Sequence, residues 1–228
     1  EEWVHYCFTR ELGDYTGSDL YSEQQAANRE SQFVDLKPQL LNAYLTRLFE
    51  DPAFVVDRYS DFKLAKAIEL IFGTASCWQN AVFDPKIPSD LQARYLNSVA
   101  TVYAQLFDRV CGKRGAEPDS DLRDDCEVDG AVYMIWDMDG LKPWTVFCDD
   151  TPHLVEPCMN ILKTCLNQCR TSACRVSALH GIGHMIQMGD KPVIVSRLRS
   201  MIDVFLDRSD VPDWLREYAM DASEGVVL

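Results

Sequence analysis

Basic residues are scarce in this sequence. Its 22 Lys and Arg residues stand against 36 Asp and Glu residues, so the formal net charge at pH 7 is −14. Nucleic acids and anionic membrane surfaces are negatively charged and repel such a chain. The sequence also lacks a run of 18 apolar residues, which excludes a transmembrane helix. We therefore expect neither nucleic-acid binding nor membrane insertion, and the charge favours another protein with a basic surface as the partner.

Several sequence motifs of enzymes and targeting signals are missing as well. The chain has no Gly-x-Ser-x-Gly elbow, no Walker loop and no Cys-x-x-Cys redox pair. The stretch Asp137-Met138-Asp139-Gly140 has too few ligands for a calcium loop. No cationic segment followed by an apolar one opens the sequence, so we expect a soluble protein in the cytoplasm. These absences leave the reaction unassigned and favour a non-enzymatic function.

Strand-like alternation of apolar and polar residues is also absent, and the apolar residues recur at helical spacing instead. The clearest example begins at Pro38, because proline is well placed at a first helical position. It continues through Leu41, Leu45 and Leu48, which form one apolar stripe. Further segments of the same kind follow along the chain, and Gly189 is a typical helix end. The pattern predicts an all-α protein.

A weak repeat runs through these helical segments. Three short segments, 76–83, 125–132 and 173–180, each carry a cysteine followed four positions later by a small residue. The cysteines Cys77, Cys126 and Cys174 are 49 and 48 residues apart. A longer amphipathic segment follows each short one. A period of this length predicts stacked helix pairs, because a single pair cannot bury its own apolar face.

The repeat resembles HEAT- and armadillo-like helical repeat proteins, on period and pattern, over roughly residues 38–228. The resemblance implies an α-solenoid of stacked helix pairs, a right-handed superhelix, with residues 1–37 as an N-terminal capping segment. It also implies protein binding without a cofactor. Because the chain is acidic, an inhibitor or immunity-type protein for a basic partner is one specific form of this function.

Two of the four histidines, His180 and His184, are four residues apart and lie on one face if the segment is helical. One interpretation is that both imidazoles pack in the core and form hydrogen bonds to a neighbouring helix. The alternative is a metal or small-ligand site, completed by His153 or by acidic residues. In that case the chain is an enzyme centred on His180 and His184, with a divalent transition metal as its cofactor.

Gly181 and Gly183 both lie between these histidines, and each is next to one of them in sequence. Each glycine inside a helix costs about 1 kcal/mol relative to alanine, so something must offset the cost. The close approach of another helix or of a ligand is the natural reason. The two glycines therefore predict a tight contact at this point of the helix.

Cysteine is abundant, with nine residues, and we interpret most of them as small buried apolar side chains. A zinc site from Cys165, Cys169, His180 and His184 is excluded in a helical hairpin. Cys169 and His184 would differ in height by roughly 16 Å, too far for one ion to reach both. Cys169 and Cys174 instead lie level across the predicted turn, so they could form a disulfide in an oxidising compartment.

Overall fold

The computed structural model describes residues 1–9, 33, 35–73, 76–112, 127–137, 141 and 146–227. Within these residues the regular elements are all helical, and no strand is present, which confirms the all-α prediction. The α-helices are α1 (Glu2–Thr9), α2 (Pro38–Glu50), α3 (Asp61–Phe72), α4 (Trp78–Val82), α5 (Ser89–Val102), α6 (Glu127–Tyr133), α7 (Val155–Asn167), α8 (Ser172–Met188), α9 (Pro192–Leu206) and α10 (Asp213–Ser223).

The ends of several helices follow from local sequence. Helices α2 and α9 begin at Pro38 and Pro192, where the missing N–H of proline leaves no helical hydrogen bond unmade. The hydroxyl of Ser60 accepts a hydrogen bond from the N–H of Lys63 and caps α3. Gly189 follows the last residue of α8, as predicted. These boundaries depend on neighbours in the chain, so they could be predicted.

Two helices continue in other helical forms, and both extensions matter for the site. Helix α5 runs on through a π-helical segment, Tyr103–Phe107, into a last turn, Asp108–Val110. Helix α6 continues as a 3₁₀ segment, Met134–Trp136, and Asp137 is the residue that directly follows it. Such changes of helical pitch alter the direction of the side chains that follow. They determine where Asp108 and Asp137 lie.

The helices contact one another in two series. One series runs from α2 to α5, α7 and α9, and the other from α1 to α3, α6, α8 and α10. Helix α8 is the most enclosed of them, because it packs against α6, α7, α9 and α10. Its residues 173–183 are all buried. A helix covered on every side must place its polar side chains against other protein groups.

The described residues include parts of the N-terminal segment and of the predicted repeat. Of residues 1–37 the structure describes 1–9, 33 and 35–37, where α1 packs on α3 and buries Trp3 and Phe8. Cys126 lies outside the described residues. Cys77 directly precedes the five-residue α4, whereas Cys174 lies in the first turn of the 17-residue α8. The third segment, 173–180, is therefore not a short helix of its own, because it continues to Met188 as part of α8.

Candidate metal centre

Helix α8 brings the two histidines together. His180 and His184 lie one turn apart, and their Nε2 atoms are 3.0 Å from each other. Their rings are nearly perpendicular, with centroids 4.4 Å apart. The side chain of His180 is fully buried, while that of His184 is 24% exposed. The pair therefore has one member in the core and one at the surface.

A carboxylate from the neighbouring helix completes the cluster. Asp137 Oδ1 lies 2.5 Å from Nε2 of His184, and Asp137 Oδ2 lies 2.9 Å from Nε2 of His180. The backbone N–H of Asp137 donates to the carbonyl of Met134 and holds the end of the 3₁₀ segment. Two imidazole nitrogens and one carboxylate from two helices thus face a common point.

Gly181 explains how Asp137 can come so close to α8. The indole of Trp136 packs directly on this glycine, and a Cβ atom at position 181 would lie 2.4 Å from Trp136 Cδ2. Any side chain there would push the 3₁₀ segment away and carry Asp137 with it. The tight contact that the sequence led us to expect here is made by an aromatic ring next to the acidic residue.

Hydrogen bonds fix the position of α6 relative to α8 next to the cluster. Ser177 Oγ donates to the carbonyl of Val132 at 2.7 Å, and Tyr103 Oη donates to Ser177 Oγ at 2.8 Å. Burial raises the pKa of the Tyr103 hydroxyl well above its ordinary value, so it stays a neutral donor. Since Ser177 precedes His180 by about one turn, this arrangement places His180 and His184 beside the end of α6.

The second glycine faces the C-terminal segment. A Cβ atom at Gly183 would lie 2.3 Å from a side-chain methyl of Val227. The chain turns back onto α8 at Gly225, whose φ of +76° favours glycine. The two glycines of α8 thus admit two different segments on either side of the histidines.

Two tyrosines orient the buried imidazole. The Nδ1 atom of His180 lies 3.0 Å from Tyr218 Oη on α10, and Tyr218 Oη lies 3.4 Å from Tyr133 Oη. The Tyr133 ring packs on the imidazole with centroids 4.2 Å apart. A partner on Nδ1 fixes the ring and directs Nε2 toward the carboxylate, which is the usual supporting arrangement of metal-binding histidines.

The three short contacts conflict with hydrogen bonding alone. If both Nε2 atoms carry protons, each can donate to Asp137, but two N–H groups then face each other at 3.0 Å. If only one Nε2 is protonated, the other presents a lone pair to an anionic carboxylate oxygen. With Asp137 ionised, one contact is therefore repulsive whichever of these imidazole protonation states is present. A cation between the groups would make all three contacts favourable.

The cluster is open on one side. The side chain of Asp137 is 27% exposed and that of His184 is 24% exposed, whereas that of His180 is 0% exposed. An ion held by these groups would have protein behind it and solvent in front. Three protein donors with an open position are typical of catalytic rather than structural zinc sites.

His153 lies in another part of the structure. It belongs to a 3₁₀ segment, Pro152–Leu154, and its Nε2 is 2.7 Å from Gln92 Oε1 on α5. Among the described residues, the metal-type cluster around the histidine pair consists of Asp137, His180 and His184, without His153. Of the two kinds of third donor that the sequence suggests, His153 or an acidic residue, the structure places the acidic Asp137 beside the pair.

The possible disulfide partners Cys169 and Cys174 are neighbours, and no bond joins their sulfur atoms in this structure. Hydrogen bonds with Cys165 and Cys174 lower the pKa of the Cys169 thiol to about 5, against the opposing effect of burial. Contacts with Cys111 and Cys169 raise the pKa of the Cys174 thiol well above its usual range. A carboxylate oxygen of Asp108 and the two sulfur atoms of Cys169 and Cys174 lie within 4.8 Å of one another.

Sequence reasoning offered acidic residues as donors without naming Asp137, and it missed Tyr133 and Tyr218. One signal could have found the acid: the 48-residue offset that relates Cys126 to Cys174 relates Asp137 to position 185, next to His184. If the helices of successive repeats stack, this offset places the two residues side by side. The tyrosines carry no such signal, because their spacing to the histidines is set by packing.

No protein-family model matches the chain, and no curated protein or solved structure is significantly similar to it. None of the helices in the described part of the chain has the length and apolar character that crossing a membrane would require.

Proposed function

We propose that this chain binds a divalent transition-metal ion through Asp137, His180 and His184. The observation that supports the proposal best is the convergence of two imidazole nitrogens and a carboxylate, which hydrogen bonds cannot satisfy together while the carboxylate is ionised. Two imidazoles and a carboxylate suit Zn²⁺, and with open positions they also suit Fe²⁺. The proposal replaces protein binding as the first function of the chain, because these contacts favour the metal alternative.

The present spacing of the donors is close to that of a loaded site. Ligand atoms around a tetrahedral zinc ion are roughly 3.3 Å apart, given metal–ligand distances of about 2.0–2.1 Å. The three donor contacts measure 2.5, 2.9 and 3.0 Å. Each donor therefore needs to move by less than about 1 Å. Asp137 and His184 are partly exposed and can make that movement, while Tyr218 holds His180 in place.

An ion in this position would support enzymatic chemistry. Its open side would bind water or an oxygen atom of a substrate, and zinc lowers the pKa of a bound water to about 7. Tyr133 and Tyr218 lie on the buried side of the site, where they support the imidazole of His180 and leave the open side free. Hydrolysis of a polar substrate by metal-bound water is the reaction class we propose for the centre.

Metal analysis of purified variants tests the proposal. The protein is equilibrated with Zn²⁺, dialysed, and its metal content is measured by elemental mass spectrometry. We expect His180→Ala/His184→Ala to lose one equivalent of zinc relative to the unaltered protein. His153→Gln is the matched control, because it removes an imidazole that contacts Gln92, and it should retain that equivalent.

Two results would refute the proposal. One is an unaltered zinc content in the double variant, provided that circular dichroism shows its helices intact. The other is an equal loss of zinc in His153→Gln, which would make the loss unspecific.

We also propose that residues 38–228 form a HEAT-like α-solenoid with a right-handed superhelical course. The two series of helix contacts support this arrangement, because in each series a helix contacts the next member of the series along the chain. The expected cytoplasmic location is compatible with the buried Cys158, Cys165, Cys169 and Cys174, since thiols stay reduced there.

A second candidate function is binding of a basic protein at helix α10. Asp213, Glu217 and Asp221 recur every four residues and are exposed, so they form an acidic stripe along this helix. Like charges at this spacing repel each other by about 0.2–0.5 kcal/mol per pair. A cationic partner would relieve the repulsion, and the net charge of −14 would speed its approach.

Salt-dependent binding separates this function from the first. A captured basic partner should associate more slowly with the Asp213→Asn/Glu217→Gln/Asp221→Asn variant, and the difference should shrink at high salt. Substituting the same number of exposed acids outside α10, for example Glu1, Glu2 and Asp51, provides the control. Equal rates in both variants would rule out the stripe as the binding surface.

A further inference from the structure

A second cluster of metal-type side chains lies at the opposite end of α8. Four cysteines from three segments meet there: Cys165 on α7, Cys169 after α7, Cys174 on α8, and Cys111 after the last turn of α5. Their exposure lies between 0 and 4%. The thiols form a chain of contacts in which Cys169 neighbours Cys165 and Cys174, and Cys174 also neighbours Cys111.

An acid lies at the centre of this chain. Asp108 Oδ1 accepts hydrogen bonds from the backbone N–H groups of Arg170 and Thr171, at 2.7 and 2.8 Å, and from Thr171 Oγ1. The carboxylate thereby ties the turn between α7 and α8 to the end of α5. The same tie brings a carboxylate oxygen to within 4.8 Å of both Cys169 Sγ and Cys174 Sγ.

We propose that Cys169, Cys174 and Asp108 bind a thiophilic metal ion, Zn²⁺ in its commonest form, with a flanking thiol as fourth donor. Zinc–sulfur distances are about 2.3 Å, so two sulfur ligands of a tetrahedral ion lie about 3.8 Å apart. The ligand atoms lie within 4.8 Å of one another here, so a contraction of at most about 1 Å brings them to that spacing. Binding replaces the protons of the coordinating thiols, which leave to solvent, and no electron is transferred.

The flanking cysteines can complete a tetrahedral shell without a change of fold. Cys165 precedes Cys169 by one helical turn, and Cys111 contacts Cys174 from the far side. Either sulfur can move into the fourth position by a change of rotamer. A shell filled by protein donors is typical of structural zinc sites and differs from the open histidine centre.

The ion can reach this site from the α7–α8 turn. Gln168 and Arg170 are exposed on either side of the buried Cys169, so the sulfur atoms lie one side chain below the surface. The site is also separate from the histidine centre. Cys174 and His180 are six residues apart on α8, a rise of about 9 Å, and their side chains point about 120° apart.

Cadmium binding to the reduced protein tests the proposal, because cadmium thiolates absorb in the ultraviolet through charge transfer. We expect one equivalent of Cd²⁺ to give this absorption, and Cys169→Ser/Cys174→Ser to abolish it. Cys158→Ser is the matched control. It also removes a buried thiol of α7, but one seven residues from Cys165 and outside the cluster. His180→Ala/His184→Ala should retain the band, which distinguishes this site from the proposed function.

Three outcomes would overturn the proposal. The first is the absence of a stoichiometric band in the fully reduced protein, which would leave the thiols as packing groups. The second is a band of full height in Cys169→Ser/Cys174→Ser, or in Cys169→Ser alone if the double variant fails to fold. The third is protein that is isolated with a Cys169–Cys174 disulfide and binds no cadmium after reduction.

Discussion

The two ends of helix α8 differ in chemistry, exposure and support. Near its C-terminal end, His180 and His184 present nitrogen donors to a partly exposed carboxylate. At its N-terminal end, Cys169 and Cys174 present sulfur to a carboxylate, and both residues are at most 1% exposed. The first cluster is supported by aromatic side chains, and the second by the hydrogen-bonded turn on Asp108.

The comparison shows how one enclosed helix can hold two different kinds of site. A helix that packs on four neighbours brings donors from separate segments together at each of its ends. Imidazole and carboxylate favour borderline metals, whereas thiolates select softer ions. The solvent exposure of each site then separates the proposed roles, because an exposed metal can bind a substrate and an enclosed one stabilises the fold.

Asp137→Asn should have the largest effect. The amide keeps the shape of the side chain but removes the negative charge that faces both Nε2 atoms. We expect zinc affinity at the histidine centre to fall by about 100-fold or more, since even indirect supports of a ligand contribute 10- to 100-fold. Competition with a chelator measures it in the Cys169→Ser/Cys174→Ser background, where the thiol cluster cannot bind. Unchanged affinity would show that Asp137 is not a ligand of the metal ion.

Gly181→Ala should come next. The new methyl group would overlap the Trp136 ring, so the 3₁₀ segment and Asp137 must shift. Overpacking of this kind costs about 1–3 kcal/mol of stability. We expect zinc affinity at the histidine centre to fall by about 10-fold, and cadmium binding at the thiol cluster to stay unchanged. Urea unfolding and the chelator competition measure both quantities.

Gly183→Ala sharpens that test. Its methyl group would meet the side chain of Val227, which lies outside the helices and is partly exposed, so this side chain can move away more easily than the buried Trp136 ring. We expect a smaller loss of stability and little change in zinc affinity. Equal losses of affinity in the two glycine variants would show that the effect does not pass through Trp136 and Asp137.

Tyr218→Phe should have a moderate effect. It removes the hydroxyl at 3.0 Å from His180 Nδ1 while keeping the ring. We expect a loss of about 10-fold in zinc affinity, because the imidazole loses the partner that fixes its orientation. Tyr6→Phe, on α1, serves as a control for the loss of a tyrosine hydroxyl. A similar loss of affinity in both variants would contradict a specific role for Tyr218.

Asp210→Asn should leave the histidine centre unaffected and weaken the opposite end of α8. Hydrogen bonds from Arg208 and Arg175 hold the pKa of the Asp210 carboxyl well below its usual range. A lowered pKa in the folded state stabilises the protein above the unfolded pKa of about 3.9, and this stabilisation is lost as the pH falls below it. The variant should therefore be less stable at pH 7 and lose less stability on acidification. Urea unfolding at pH 7 and pH 3 measures the difference, and parallel losses would contradict the assignment.

Local pattern explains how far the sequence could predict this structure. The start of α2 at Pro38 and the end of α8 at Gly189 follow from the conformational preferences of single residues. The pairing of His180 with His184 follows from helical geometry. Gly181 and Gly183 also indicated close contacts, although the sequence did not name Trp136 or Val227 as the groups in contact.

The remaining features depend on contacts between distant segments. Asp137 reaches the histidines only because α6 ends in a 3₁₀ turn and Trp136 packs on Gly181. The link from Tyr218 to His180 joins two residues that are 38 positions apart in sequence and lie on different helices. His153 was an equally plausible donor by residue type, and its contact with Gln92 depends on how α5 lies beside the 3₁₀ segment 152–154. Such neighbours are set by packing, which no local spacing encodes.

X-ray absorption spectroscopy at the zinc edge tests the central claim most directly. The sample is the Cys169→Ser/Cys174→Ser protein loaded with one equivalent of zinc. The account predicts a first shell of nitrogen and oxygen at about 2.0–2.1 Å with the outer-shell scattering of two imidazoles. A first shell that contains sulfur at about 2.3 Å, or scattering from fewer than two imidazoles, would contradict it.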